Sequence, residues 1–92
     1  MLRHIVMFKF RDPSDVAAAA SRLQALVGQI PSLLSLEVGE NVRDHPIAWE
    51  LALVTTHEDL AGLMAYQEHA VHQEFLDWLN PRVSARAVVD HY

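Results

Sequence analysis

The chain has 92 residues, of which 51% are hydrophobic and 21% charged, a composition that predicts one folded domain spanning residues 1–92 and excludes intrinsic disorder. Cysteine is absent, which excludes disulfides, thiolate metal sites and cysteine nucleophiles. Twelve acidic and 7 basic side chains give a net charge of -5, which argues against nucleic acid as a partner.

No targeting or anchoring segment is recognisable in the sequence. Met1 is not followed by the apolar run of about 7 to 15 residues that a secretory signal needs. No uncharged apolar run approaches the roughly 20 residues of a membrane span. We therefore expect a cytoplasmic protein with no membrane partner.

A strand and a helix are the first predicted elements. Residues Leu2–Arg11 alternate between two sides, as a strand does. Asp12 and Pro13 predict a helix start, because the carboxylate can accept a hydrogen bond from a first-turn amide and proline suits the first helical position. Gly28 and Pro31 mark the end of this helix. One side of the strand carries Leu2, His4, Val6, Phe8 and Phe10, and the helix stripe consists of Val16, Ala19, Ala20, Leu23, Leu26, Val27 and Ile30.

The middle of the chain predicts a β-hairpin. Apolar residues alternate with other residues over Leu33–Val42 and again over Ile47–Val54. The polar residues 43–46 between them, which end in a proline, are typical of a turn. We therefore predict that the second and third strands pair with each other.

The last third of the chain predicts helix and then strand. Thr56 followed three residues later by Asp59 resembles a helix-start box. Apolar residues at helical spacing then continue, with or without a restart, as far as Asn80 and Pro81. The segment Val83–Tyr92 is typical of a final strand.

The order strand, helix, strand, strand, helix, strand is that of the α+β ferredoxin-like fold, a four-stranded antiparallel sheet with helices on one face. The other face would be uncovered in a monomer, yet Ala52 and Val54 make it apolar. Such a patch usually marks an interface. We predict a homodimer joined sheet to sheet, with Val88 and Val89 of the last strand in the interface.

Three short motifs resemble the stress-responsive A/B barrel domain family. They are the opening His4–Phe10, the helical Tyr66–His72 and the ending Val88–Tyr92, and together they span nearly the whole chain. The resemblance implies a dimeric α+β barrel, in which two sheets associate and the helices lie outside. It also implies a possible activity, because one plant branch of the family consists of polyketide cyclases that close a linear poly-β-keto thioester by an intramolecular aldol step.

The match to the cyclase branch is partial. Its Tyr, His, Pro, His pattern falls on Tyr66, His69, Ala70 and His72, so alanine replaces the proline. Without that proline the two helical pieces are expected either to fuse or to meet at a different angle. A further histidine of the branch falls on Leu51. The resemblance therefore implies a lyase, isomerase or binding protein as readily as a cyclase.

The histidines allow both chemical and structural interpretations. His69 and His72 lie three residues apart, so on a continuous helix they share a face and could bind a metal if His4 or Glu50 supplied a third ligand. They could equally hydrogen-bond the backbone, or act as acids and bases, since imidazole titrates near pH 6.5. His4 could be a hydrogen-bonded core residue or a pocket wall. Tyr66 could complete an apolar stripe or orient a substrate carbonyl.

These considerations predict a cofactor-independent site without a metal, for a small apolar carbonyl ligand. Three classes stay open: an enzyme that uses histidine acid/base catalysis, a non-catalytic stress-response or small-molecule-binding homodimer, and a purely structural dimer. A cavity lined by His4, Tyr66 and His72 would favour the first two, and a filled core the third. Asp90 and His91 are adjacent on a strand, face opposite sides and cannot form a dyad. The predicted catalytic residues are His72 and Tyr66, and the predicted binding residues are His4, His69, Phe8 and Trp49.

Overall fold

Four strands and three helices follow one another in the computed structural model, which describes residues 1–92. The strands form one antiparallel sheet in the order β2-β3-β1-β4, and this confirms the predicted α+β ferredoxin-like fold. No helix has both the length and the apolar composition needed to cross a membrane. The elements are β1 (Leu2–Phe10), α1 (Asp15–Gln24), β2 (Ser35–Glu40), β3 (Leu51–His57), α2 (Leu60–Glu68), α3 (Ala70–Leu79) and β4 (Val83–His91).

Strand β1 lies in the middle of the sheet and determines which residues meet inside. Its buried and partly exposed residues alternate along the whole strand, as the sequence predicts. On the inner face, which the helices cover, His4 lies opposite Thr55 of β3 and Asp90 of β4. The pairing therefore brings residues from the two ends of the chain to one place. Sixteen buried apolar residues form the core between this face and the helices.

The outer face of the sheet has no helix against it. It presents Ile5 and Met7 of β1, Ala52 of β3 and Val89 of β4, and Met7 and Val89 are 38% and 60% exposed. The prediction that the sheet has a second, apolar face is therefore confirmed. Val88 lies on the inner face, because its register partner is the buried Val6, so of the two valines only Val89 belongs to the outer face.

The first helix is shorter than the sequence predicts. It begins at Asp15, because the Asp12 carboxylate accepts the backbone N–H of Ser14 at 3.0 Å and so stabilises a turn ahead of the helix. It ends at Gln24, and the chain continues through turns to Gly28, whose φ of 84° is in the left-handed region that glycine tolerates.

The third strand is displaced along the chain from its predicted position. It covers Leu51–His57, so Ile47 and Trp49 precede it and Thr56 lies within it. The predicted helix-start box at Thr56 is therefore wrong: its hydroxyl bonds the Ser35 hydroxyl at 2.5 Å across the β2–β3 pair. Asp59 caps helix α2 instead, by accepting the Gly62 N–H at 2.9 Å.

We predict that Leu63→Ala lowers the free energy of unfolding by about 2–5 kcal/mol, because Leu63 is 2% exposed and its loss leaves a cavity. Leu60→Ala in the same helix is the matched control. Leu60 is 55% exposed, so its replacement should change the free energy by no more than about 0.5 kcal/mol. Urea denaturation measures both, and equal losses would contradict the assignment of this helix face to the core.

Candidate functional site

A cavity of about 180 Å³ lies on the inner face of the sheet, between strands β1 and β4 and helices α2 and α3. Nine of its 13 lining residues are hydrophobic, and Phe8 is one of them. His4, Tyr66 and His72 also line it. The structure thus has a cavity lined by His4, Tyr66 and His72, as the enzyme and binding-protein hypotheses require.

His72 has one ring nitrogen engaged and one left over. Its Nδ1 lies 3.0 Å from the carbonyl oxygen of Gln67. A carbonyl only accepts, so Nδ1 carries the hydrogen and donates it, and Nε2 keeps its lone pair. His72 is 8% exposed and lines the cavity, so Nε2 is the nitrogen available to a ligand there.

The environment keeps His72 neutral at physiological pH. Burial lowers its pKa below the ordinary 6.5, and this effect outweighs the opposing effect of the Gln67 carbonyl. The nearby imidazoles of His4 and His57 lower the pKa further. A neutral imidazole with a free Nε2 can accept a proton, which is what a general base requires.

The Gln67 carbonyl is available to His72 because the helix breaks at His69. In a continuous helix this carbonyl would accept the N–H of Val71, four residues later. His69 instead has an extended backbone, with φ -63° and ψ 139°, and its Nδ1 accepts the Val71 N–H at 3.1 Å. The two helical pieces therefore do not fuse when Ala70 stands at the family's proline position.

The break also changes the interpretation of His69. The expectation that His69 and His72 share the face of a continuous helix is wrong, because His69 lies outside both helices and caps the second. His69 is not among the residues that line the cavity. No group of three or more His, Asp or Glu side chains has the arrangement needed to hold a metal ion. Glu50, considered above as a third ligand, accepts the backbone N–H of Phe10 at 2.5 Å.

His4 is oriented by Asp90, its neighbour on the adjacent strand. The two are register partners on β1 and β4, and His4 Nδ1 lies 2.5 Å from Asp90 Oδ1. An ionised carboxylate only accepts, so His4 donates from Nδ1 and, like His72, keeps Nε2 for the cavity. Asp90 therefore orients the His4 ring.

Tyr66 lies between the histidines. It is 1% exposed, and its ring centre is 4.4 Å from that of His72 and 4.9 Å from that of His57. Burial raises the pKa of Tyr66 to about 12. The phenol is therefore protonated at neutral pH and can donate a hydrogen bond to an oxygen atom in the cavity.

His57 is a buried neighbour of these residues that sequence reasoning does not identify. Its Nδ1 donates to the Ser32 carbonyl and its Nε2 accepts from the Thr55 hydroxyl, both at 2.8 Å, so neither nitrogen is left for a ligand. Burial lowers its pKa, and the ring is neutral. His57 follows Leu53 and Thr55 at intervals of two residues and so shares their face of the strand. This pattern is visible only when the third strand is extended beyond Val54.

The predicted site residues fall into two groups. His4, Phe8, Tyr66 and His72 line one cavity, whereas His69 caps a helix and Trp49 lies in a separate, open depression with Lys9 over its ring at 4.9 Å. Sequence reasoning does not identify Asp90 as a partner of His4. The ferredoxin-like order of elements does imply that the first and last strands pair, which brings these two ends of the chain together.

Comparison with known proteins gives consistent results. The model of the Stress responsive A/B Barrel Domain matches residues 2–92. An uncharacterised protein of Streptomyces coelicolor is 36% identical over 91 residues, covering 86% of this chain and 94% of its own. A dimeric protein of unknown function and ferredoxin-like fold from Bacteroides fragilis superposes with a TM-score of 0.85 at 28% identity, covering 98% of this chain and 93% of that one. Hydroxynitrile lyase from Passiflora edulis superposes with a TM-score of 0.83 at 15% identity, covering 98% and 90%.

We predict that acid weakens the fold through the buried histidines. Their folded pKa values lie below 6.5, so the unfolded chain binds more protons as the pH falls below that value and the free energy of unfolding decreases. Each histidine contributes a slope of at most about 1.4 kcal/mol per pH unit. Urea denaturation between about pH 7.5 and 5 should show a smaller slope for His57→Asn than for the parent. His45→Asn, at an exposed loop position, is the control, and an equal slope in all three proteins would contradict the prediction.

Proposed function

Because the chain belongs to the stress-responsive A/B barrel domain family, we propose that it is a cofactor-independent enzyme that cyclises, cleaves or isomerises a small carbonyl compound by proton transfer. One observation carries the proposal: His4 and His72 line the same apolar cavity as Tyr66, and each donates from Nδ1 to a fixed acceptor. A hydroxynitrile lyase and a dimer of unknown function share the fold, so the fold alone does not determine the chemistry.

The proposed reaction begins with proton removal next to the carbonyl group. His72 Nε2 takes the proton from the neighbouring carbon, and the electron pair of that C–H bond moves onto the carbonyl oxygen to give an enolate. The Tyr66 hydroxyl donates a hydrogen bond to this oxygen, where negative charge develops. In a cyclisation, the enolate carbon then attacks a second carbonyl of the same molecule, and protonated His72 returns its proton to the new alkoxide oxygen. In an isomerisation, His72 returns the proton to a different carbon of the enolate.

The environment of the cavity suits this division of roles. The low pKa of His72 leaves its base form populated at neutral pH, and the high pKa of Tyr66 keeps its donor proton in place. Nine of the 13 lining residues are hydrophobic, and an apolar surrounding makes the hydrogen bond to the enolate oxygen stronger than it is in bulk water. His4, oriented by Asp90, supplies a second polar contact on the opposite wall. Positioned proton transfer contributes about 10²- to 10⁴-fold to the rate.

The alternative proposal is a non-catalytic stress-response or small-molecule-binding homodimer. The size of the cavity favours it: about 180 Å³ is less than the roughly 300–1,000 Å³ typical of ligand sites. One histidine of the cyclase branch is also missing, because Leu51 occupies that position in β3. In this case Tyr66 and His72 would hold the ligand without turning it over.

Both proposals include a homodimer formed through the outer face of the sheet. Ile5, Met7, Ala52 and Val89 would form an exposed apolar patch in a monomer. The Bacteroides fragilis protein, which is 28% identical, is described as dimeric. A second copy of the chain would bury this patch.

We predict that His72→Gln lowers kcat/KM by about 10²- to 10⁴-fold and that Tyr66→Phe causes a comparable loss, since one removes the base and the other the donor. Screening of carbonyl compounds identifies the substrate, and steady-state kinetics compares the variants. His45→Gln, which alters an exposed histidine outside the cavity, should behave as the parent does.

The pH profile of the same reaction tests the roles separately. In the parent, kcat/KM should rise with pH through a pKa below 6.5 and then stay level until Tyr66 ionises near pH 12. Parent-like turnover by His72→Gln and Tyr66→Phe would rule out the catalytic assignment. Binding without turnover by the parent would favour the alternative proposal.

We predict that Val89→Glu converts the dimer into monomers at micromolar concentration, because it places a charge in the apolar patch. Sedimentation velocity measures the change. Val42→Glu introduces the same charge at a loop residue that is 98% exposed and should leave the dimer intact. A parent protein that sediments as a stable monomer would rule out the homodimer.

A further inference from the structure

Arg86 is the only residue with a permanent charge among the 13 that line the cavity. It lies on β4 opposite Phe8, on the same face of the strand as Val88 and Asp90. The proposed reaction gives it no role, since proton transfer and carbonyl binding occur at the histidines and Tyr66. A permanently charged side chain at a largely apolar cavity is therefore left without a function.

The cation marks the end of the cavity that is far from the imidazoles. Along β4, Arg86 is four residues from Asp90, which corresponds to about 13 Å. The Arg86 guanidinium donates to Asn80 Oδ1 at 2.6 Å, and Asn80 lies eight residues after His72, which corresponds to about 12 Å along the helix. Both elements therefore place the guanidinium and the imidazoles at opposite ends of a cleft between α3 and β4.

The guanidinium has no anionic partner within the chain. Two carboxylates contact basic side chains in the structure: Asp90 accepts a hydrogen bond from His4, and Asp15 pairs with Arg82. Arg82 also stacks on Trp78, with its guanidinium carbon 4.5 Å from the ring centre. Arg86 bonds only the neutral amide of Asn80, although the chain has 12 acidic residues against 7 basic ones. The amide fixes one nitrogen of the fork and leaves other N–H donors for a ligand.

We propose that Arg86 binds a carboxylate at the far end of the ligand. This inference rests on the proposed function and narrows its substrates to keto acids. The reacting carbonyl lies between Tyr66 and His72, an apolar section packs along Val88 and Leu76, and the carboxylate meets Arg86. One guanidinium matches one carboxylate in a paired, two-bond geometry. A phosphate dianion fits less well, because the cleft has no second cation.

The test compares three probes that differ only at the far end: benzoylbutyrate, its methyl ester and the neutral ketone butyrophenone. Isothermal titration calorimetry gives the dissociation constant of each. The parent should bind benzoylbutyrate about tenfold or more tightly than the ester, the size expected of a charge-assisted hydrogen bond. Arg86→Met should abolish this preference and leave the affinity for butyrophenone unchanged, and Arg86→Lys should retain part of it.

Arg43→Met is the matched control, because it removes the same charge from an exposed loop residue outside the cavity. Its preference for benzoylbutyrate should equal that of the parent; a loss equal to that of Arg86→Met would show general charge attraction and overturn the assignment. If the parent binds all three probes equally, the carboxylate site is wrong and the proposed carbonyl site stands. If none of the probes binds, both are overturned.

Discussion

The interruption of the helix at His69 determines the chemistry of the candidate site. A continuous helix would use the Gln67 carbonyl for its own backbone ladder, and the His72 ring would lose its acceptor. Because His69 takes the Val71 N–H on its side chain, that carbonyl is released and accepts the Nδ1 hydrogen of His72. A single backbone conformation therefore fixes both the direction of α3 and the tautomer of the proposed base.

Both imidazoles of the cavity are oriented by a hydrogen bond from Nδ1, but the acceptors differ. His72 is held by a backbone carbonyl one turn away, and His4 by a carboxylate on the neighbouring strand. In each of them Nε2 is left for a ligand in the cavity, whereas both ring nitrogens of the neighbouring His57 are hydrogen-bonded within the protein. Similar side chains thus differ in availability because of their acceptors, not because of their distance from the ligand.

Sequence reasoning succeeds here where the pattern is local and repeated. The alternation along β1 predicts which residues face the core, and the order of elements predicts the fold. It fails where a single hydrogen bond determines the local structure. At His69, the side chain caps a helix, and no periodic pattern in the sequence indicates this cap. It also fails where a shifted boundary conceals a residue, since a third strand that ends at Val54 leaves His57 outside the sheet. The partnership of His4 with Asp90 requires the register of two strands, which composition and spacing do not define.

The His4–Asp90 contact joins residues that are 86 positions apart along the chain. Contacts of such long sequence separation close the largest loops. They form slowly, because the chain loses conformational entropy before the contact contributes favourable free energy. A chain in which β4 has not docked on β1 has His4 without its carboxylate partner and the cavity without one wall. The proposed ligand site is therefore complete only when the first and last strands of the chain have paired.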